Sequence, residues 1–167
     1  MRVLAIDPAV RNTGYAVLEG DPRRPVVLAF DVISIPKNIP QSAALSAIRT
    51  HLVNVIRKFQ PEEVAVEGII YVQSHQTAIS MGAARAAALI AAADHGLGVY
   101  EYSPKKVKMA VVGKGTADKS QVAFMVRALL GLAETPPPDA ADALAIAMAH
   151  LQASDPIKAK LLERRLV

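Results

Sequence analysis

Apolar residues at 3–6 form a short run that ends in Asp7-Pro8, and a second run at 15–18 follows the turn-prone series Arg11-Asn12-Thr13-Gly14. The two runs predict a hairpin with its turn at 11–14. Residues 26–33 are rich in branched and aromatic side chains and predict a third strand, antiparallel to the second. After Pro36 and Pro40 the pattern changes. Leu45, Ile48, Leu52, Val55 and Ile56 recur at spacings of three and four, which predicts a helix with one buried stripe, ending near Gln60-Pro61. Residues 64–66 read as a short buried strand that delivers Glu67, the alanine-rich stretch 77–93 as a helix stopped by His95-Gly96, and 99–102 as a fifth strand.

Ser103 is placed to cap, and Pro104 to open, a short helix that stops at Gly113-Lys114-Gly115. A further helix is expected over 116–130. Pro136-Pro137-Pro138 then forces an extended segment, and Asp139 opens a last helix reaching roughly residue 153. Strands grouped first and then alternating with helices predict an α/β domain, a five-stranded mixed sheet with helices on both faces. No internal repeat or linker divides the chain. One domain is expected over residues 1–155, followed by a basic tail, 156–167, that is expected to be disordered.

With 167 residues, 52% of them hydrophobic, the chain has enough to bury a core of its own. Cysteine is absent, which excludes disulfides, zinc–thiolate clusters and thiol catalysis, and agrees with a reducing, cytoplasmic location. Any bound metal must therefore sit on oxygen or histidine. The most apolar window, 83–93, contains Arg85 and is too short to cross a bilayer, and the first residues read as a strand rather than an export leader. The net charge of +4 favours a polyanionic partner. Lys105, Lys106, Lys108, Lys114 and Lys119 cluster in sequence, and so do Lys158, Lys160, Arg164 and Arg165.

Four acids stand where chemistry is usually placed. Asp7 and Glu67 each follow an apolar strand, at the carboxyl end where open α/β sheets bind ligands. Asp139 and Asp142 lie three apart and project from one helical face; a cap and a favourable dipole contact account for that pair equally well. If all four converge they repel one another until cations neutralise them, and hard oxygen donors select Mg²⁺ or Mn²⁺. Two such ions activate water and stabilise the leaving oxygen in phosphoryl transfer. Other chemistries fit less well. Gly113 and Lys119-Ser120 have the outer spacing of a phosphate-binding loop, but Asp118 occupies its second glycine. A two-lobed sugar kinase needs a longer chain. His75 and Ser80 lack a third orienting group, and His150, near a helix end where the dipole favours a cation, reads as structural.

The segments AIDPAVRNTGYAV, VAVEG, VYEYSPKKVKMAVVGKGTADKSQVAF and DAADALAIAMAH together resemble the bacterial RuvC Holliday junction resolvases over most of the chain. The resemblance implies an RNase H-like fold and a homodimer that makes paired, symmetric nicks in four-way DNA junctions during recombination and repair. It implies Asp7, Glu67, Asp139 and Asp142 as the acidic quartet holding Mg²⁺, and Lys108 and Lys119 as basic residues near the phosphate. For DNA contact it points to Arg85, and the basic cluster adds Lys105, Lys106 and Lys114. The RuvA-RuvB branch-migration complex is the implied partner. Two positions depart from the family pattern: Ala9 stands where glycine usually follows the proline, and Ile70, beside Tyr71, stands where an aromatic meets unstacked bases. Tyr71 would stack or Ile70 would act as a wedge; packing is the other reading. The alternative function is a catalytically weak junction-binding protein of the same fold.

Overall fold

The computed structural model of the protein describes residues 1–69, 74–160 and 162–167. Six strands form one sheet in the order β3-β2-β1-β4-β5-β6: β1 (Arg2–Asp7), β2 (Asn12–Asp21), β3 (Arg24–Ser34), β4 (Glu63–Glu67), β5 (Gly98–Tyr102) and β6 (Arg165–Leu166). β1 and β5 run parallel to β4, and the remaining pairs are antiparallel. The expected mixed sheet is present, with one strand more than the sequence pattern showed.

Alternation along the strands assigns the layers. Leu4, Ile6, Tyr15, Val17, Val64 and Val66 pack on one face against α1 (Gln41–Phe59) and α2 (His75–Ala93). Val3, Ala5, Ala16, Leu18 and Ala65 pack on the other against α5 (Pro138–Ala153), with α3 (Pro104–Val112) and α4 (Lys119–Leu130) joining that layer. Both faces of β1 are covered, which is why its sequence is a continuous apolar run rather than an alternating one. α5 is buried on almost every side beyond its first turn. Its alanines let it lie close to the sheet, and its only acids are at its start.

Three expectations change. The turn predicted at 11–14 lies earlier, because β2 begins at Asn12 and Gly14 pairs with Asp7 inside the ladder. The buried Thr13 closes that earlier loop: its hydroxyl donates to the Ala9 carbonyl at 2.6 Å and accepts from the Ala9 N–H at 3.3 Å. Ala9 itself keeps a negative φ, so this turn needs no glycine there.

The basic tail is not a free appendage. Leu162 is buried in the α5-side core, and Arg165–Leu166 pairs with Tyr100 and Glu101 as β6. Arg164 stacks on Tyr100, 4.1 Å from the ring centroid, and bonds Glu63.

Glu63 ties this tail to His150, whose role also changes. The ring is fully buried; Nε2 lies 2.6 Å from a Glu63 oxygen and Nδ1 lies 2.9 Å from the Tyr102 hydroxyl. Nε2–H therefore donates to the carboxylate, and Nδ1 accepts from the phenol. Burial depresses the imidazole to about 4, against the pull of Glu63. A structural histidine was expected, but it is a neutral one rather than a cation at a helix end. Between pH about 6.5 and about 4 the unfolded chain holds the proton and the folded chain does not, so the contribution of His150 to stability is lost as the pH falls through that window. In an NMR titration the His150 ring should remain neutral from pH 8 to about 5; a midpoint near 6.5 would refute the buried, neutral assignment.

Candidate active site

Strand periodicity aims the first two acids. Asp7 continues the face of Val3 and Ala5, and Glu67 continues the face of Ala65, so both project towards α5. β1 and β4 are paired through Ile6 and Val66. The two acids that follow are therefore neighbours at one end of the sheet, and a single cavity of about 370 Å³ is lined by Asp7, Glu67, Asp142, Lys108 and Lys119.

The helical pair arrives because α5 begins against the sheet. A Cβ added to Gly14 would stand 1.9 Å from the Asp139 carbonyl oxygen and 2.4 Å from its carbon. Only glycine permits that approach, directly across the ladder from Asp7. Asp139 lies in the first turn, where neither it nor Asp142 caps the helix; Pro137 is the N-cap and no side chain bonds to that terminus. The capping reading that competed for Asp139 is thus removed, while the dipole still favours its charge. Asp139 lines an adjoining trough that shares Ala9 and Met81 with the main cavity.

Electrostatics bind the four into one cluster. Asp7 is raised to about 7, first by burial and then by Asp142, Glu67 and Asp139, with Lys119 opposing. Glu67 is also raised to about 7, by burial and Asp142, against Lys119 and Lys108. Both folded values exceed the ordinary ones. As pH rises from about 4 to about 7 the unfolded chain releases these protons first, so the stability contributed by the two groups falls across that window. A bound cation would reverse that loss. Among the described residues no group of three or more acid or histidine side chains is drawn close enough together to hold a metal ion as it stands. The acids line an open mouth, and Lys119 holds Asp142 at 3.1 Å.

Lys119 is the first residue of α4, and its neighbours supply the cap of that helix. Asp118 accepts from the Gln121 N–H at 2.9 Å, and the Gln121 side chain accepts from the Asp118 N–H at 3.0 Å. The Asp142 contact holds the Lys119 ammonium above its ordinary value. Lys108, on α3, faces the same cavity.

The other basic candidates are placed elsewhere. Lys105 and Lys106 line a separate groove with Met109 and Leu162, and Lys106 pairs with Glu163 at 3.6 Å. Lys114 is exposed in the loop after α3. Arg85 does not line the acidic cavity; its donors go to the Glu67 carbonyl and to Glu101. Ile70 and Tyr71 lie outside the described residues. Sequence reasoning missed Gly14 and Met81. Gly14 is masked by the turn-like residues that precede it, and only its place inside a strand would signal a close approach; Met81, on the alanine-rich helix, carries no comparable mark.

The sequence model of the family described as "Crossover junction endodeoxyribonuclease RuvC" matches residues 3–150. The chain belongs to that RuvC family. A RuvC relative from Akkermansia muciniphila is 63% identical over 167 residues and both chains are fully covered; one from Dehalococcoides mccartyi is 46% identical over 151 residues, covering 90% of this chain and 92% of the relative. A solved structure of T. thermophilus RuvC in complex with Holliday junction substrate is 34% identical, with a TM-score of 0.90 over 100% of this chain and 99% of that one. The fold extends further, to the yeast mitochondrial resolvase Ydc2, at 14% identity and a TM-score of 0.61 over 90% of this chain and 78% of that one.

Within this RuvC site, Gly14 makes the sharpest test of how the quartet is assembled. Gly14→Ala must push the start of α5 off the sheet by an ångström or more, and with it Asp139 and Asp142. Junction cleavage should fall about 10²-fold or more while the far-UV circular dichroism spectrum is retained; a wild-type rate would show that helix placement does not limit the site.

Proposed function

We propose that the protein is a structure-specific endodeoxyribonuclease that resolves four-way DNA junctions by paired, metal-dependent nicks, in recombination and repair. The observation that carries this reading is the joint placement of Asp7, Glu67 and Asp142 with Lys108 and Lys119 around one cavity, with Asp139 at its edge, in a chain of the RuvC family. The relative solved with a Holliday junction supports the substrate.

Buried, mutually repelling carboxylate oxygens suit a hard divalent cation, and the four acids would hold Mg²⁺, two ions per site, with Mn²⁺ able to substitute. The metal would supply Lewis acidity and an activated water. The residues around it do the rest. Asp7 and Glu67 fix the donor set from the rigid sheet, Asp139 and Asp142 complete it from the helix, and Lys108 offsets charge on the phosphate beside Glu67. Lys119, on an exposed and flexible stem, balances the acids and reaches the same phosphate. The overall positive charge draws the DNA in.

The homodimer is supported by α2. Ile79, Ala86 and Ile90 form an exposed stripe at spacings that Ala83 completes, and Ile79 is 70% exposed. Small and branched residues at such spacing suit a helix from a second copy, and a two-fold pair of sites matches the symmetry of the junction. We also assign the protein to the bacterial cytoplasm, with the RuvA-RuvB branch-migration complex as partner. Among the described residues no helix is long and apolar enough to cross a membrane.

Purified protein should nick a mobile four-way junction in preference to linear duplex when Mg²⁺ or Mn²⁺ is added, and not in chelator. Asp7→Asn and Glu67→Gln should abolish cutting with junction binding retained, and Lys119→Ala should slow cutting by about 10²-fold with a smaller loss of binding. Binding without nicking at every metal concentration would favour the junction-binding alternative. Ala86→Glu should convert the dimer to monomer in sedimentation and uncouple the two nicks; an unchanged dimer would place the interface elsewhere.

A further inference from the structure

Glu67 ends β4 at the point where the strand loses a neighbour. The ladder with β1 stops at Ile6 and Val66, so beyond it the backbone is held from one side, by pairing with Tyr102 of β5. Gly68 N–H donates to the Tyr102 carbonyl at 2.8 Å. Arg85 of α2 supplies the second support. Its Nη1 donates to the Glu67 carbonyl at 3.0 Å, and its Nη2 to Glu101 Oε2 at 2.6 Å.

Glu101 lies across the next residue. A Cβ on Gly68 would stand 3.0 Å from Glu101 Cδ and 3.1 Å from Cγ, so the acid and the bare backbone fit against each other. The Arg85 and Glu101 side chains are only 13% and 20% exposed. Register explains the arrangement. Val99 packs on the α1–α2 face and Tyr102 on the α5 face, so Glu101 points to the side from which α2 comes. The Glu67 carboxylate points to the other side. A planar guanidinium can serve a carbonyl and a carboxylate at once, which an ammonium cannot do with the same geometry. Arg165 of β6 adds an outer contact, 3.5 Å from Glu101 Oε1.

We propose that Arg85, buttressed by Glu101, is a positioning residue of the nuclease site: it fixes the carbonyl of Glu67 and so the direction of the Glu67 carboxylate, and it does not contact DNA. This rests on the nuclease reading, and it replaces DNA contact as the role of Arg85. A carbonyl held on one face sets the peptide plane, and the peptide plane sets where the next bonds of Glu67 can lead. Groups that orient a ligand in this way change metal affinity and rate rather than substrate affinity.

Arg85→Lys, Arg85→Ala and Glu101→Gln can be compared with the unaltered protein in three measurements. These are junction affinity without divalent metal, Mn²⁺ affinity by calorimetry, and single-turnover cleavage at saturating junction. Both arginine variants should lose about 10–100-fold in Mn²⁺ affinity and in rate, with junction Kd unchanged within about twofold, and Glu101→Gln should lose less. Arg85→Ala combined with Glu101→Gln should be no slower than Arg85→Ala, because the acid acts through the guanidinium. Thermal melting identifies a variant that fails to fold, and Arg85→Lys and Glu101→Gln decide the matter if Arg85→Ala does so. Unchanged Mn²⁺ affinity and rate in Arg85→Lys overturn the proposal, as does a junction Kd weakened about tenfold or more, which would make Arg85 a DNA contact. Additive losses in the double variant overturn the part assigned to Glu101. If the unaltered protein does not cut, the nuclease reading fails, and the Mn²⁺ titration still decides the role of Arg85.

Discussion

The start of α5 lies on the sheet at Gly14 with no room for a β-carbon, and the active site depends on that contact. Asp7 and Glu67 are delivered by strand periodicity alone and would face the same way on any sheet with this register. Asp139 and Asp142 are different. They enter the cluster only if the helix seats flush, and a helix seats flush only where both surfaces are made of small groups. The alanines of α5 supply one surface and Gly14 the other. The same seating closes the core, since α3 and α4 pack onto α5 in the cluster that contains Ala5, Ala16 and Ala65 of the sheet. Fold and site therefore share one contact.

That seating brings like charges together, and the molecule bears the consequence at neutral pH. Asp7 and Glu67 are pushed to about 7 by burial and by their neighbours, with two lysines as the local offset. The stability linked to His150 changes over an overlapping pH window with the opposite sign: its neutral, buried ring is favoured at high pH, whereas the carboxylates are favoured when protonated. Near pH 7 the imidazole contributes in full and the acids carry most of their repulsion. Strain of this kind, concentrated where the proposed cation would sit, is the expected trade between stability and function.

What the sequence disclosed follows from which interactions are local. Strand and helix periods, the Ser103 cap and the proline boundaries are read within a few residues, and those elements stand close to where the pattern puts them. The failures are non-local. Gly14 sits in a turn-like series, and only α5, more than a hundred residues later, gives it another purpose. The tail reads as disordered because its charge is visible and its partners are not: Glu63, Tyr100 and Glu101 lie far upstream. The lysines of 105–119 look like one patch in sequence. The turn of α3 divides them, sending Lys108 to the acids and Lys105 and Lys106 to another groove. In the site, position put the two strand acids at the carboxyl end of the sheet, but their proposed role, like that of the helical acids, came from the set of four and the family pattern, since a turn, a strand end or a cap would have used the same residues.

In the proposed function the acids would account for metal-assisted phosphodiester chemistry, but a junction is distinguished from a duplex by the spacing of two sites rather than by either one. α2 links these levels in this chain. One side of it carries Met81 into the cavity wall and Arg85 onto the backbone of Glu67, and another exposes Ile79, Ala86 and Ile90. In the proposed dimer that exposed stripe would meet its copy, so the helix that sets the distance between subunits would also hold Glu67 in each. A shift of α2 as a rigid rod, by an ångström at the interface, would reach the Glu67 carbonyl undiminished. Subunit pairing and local geometry are then not independent variables. A dimer docked wrongly on DNA, or a subunit alone, would have a site displaced as well as misplaced, and selectivity for the four-way substrate would act on the rate of cutting as much as on binding.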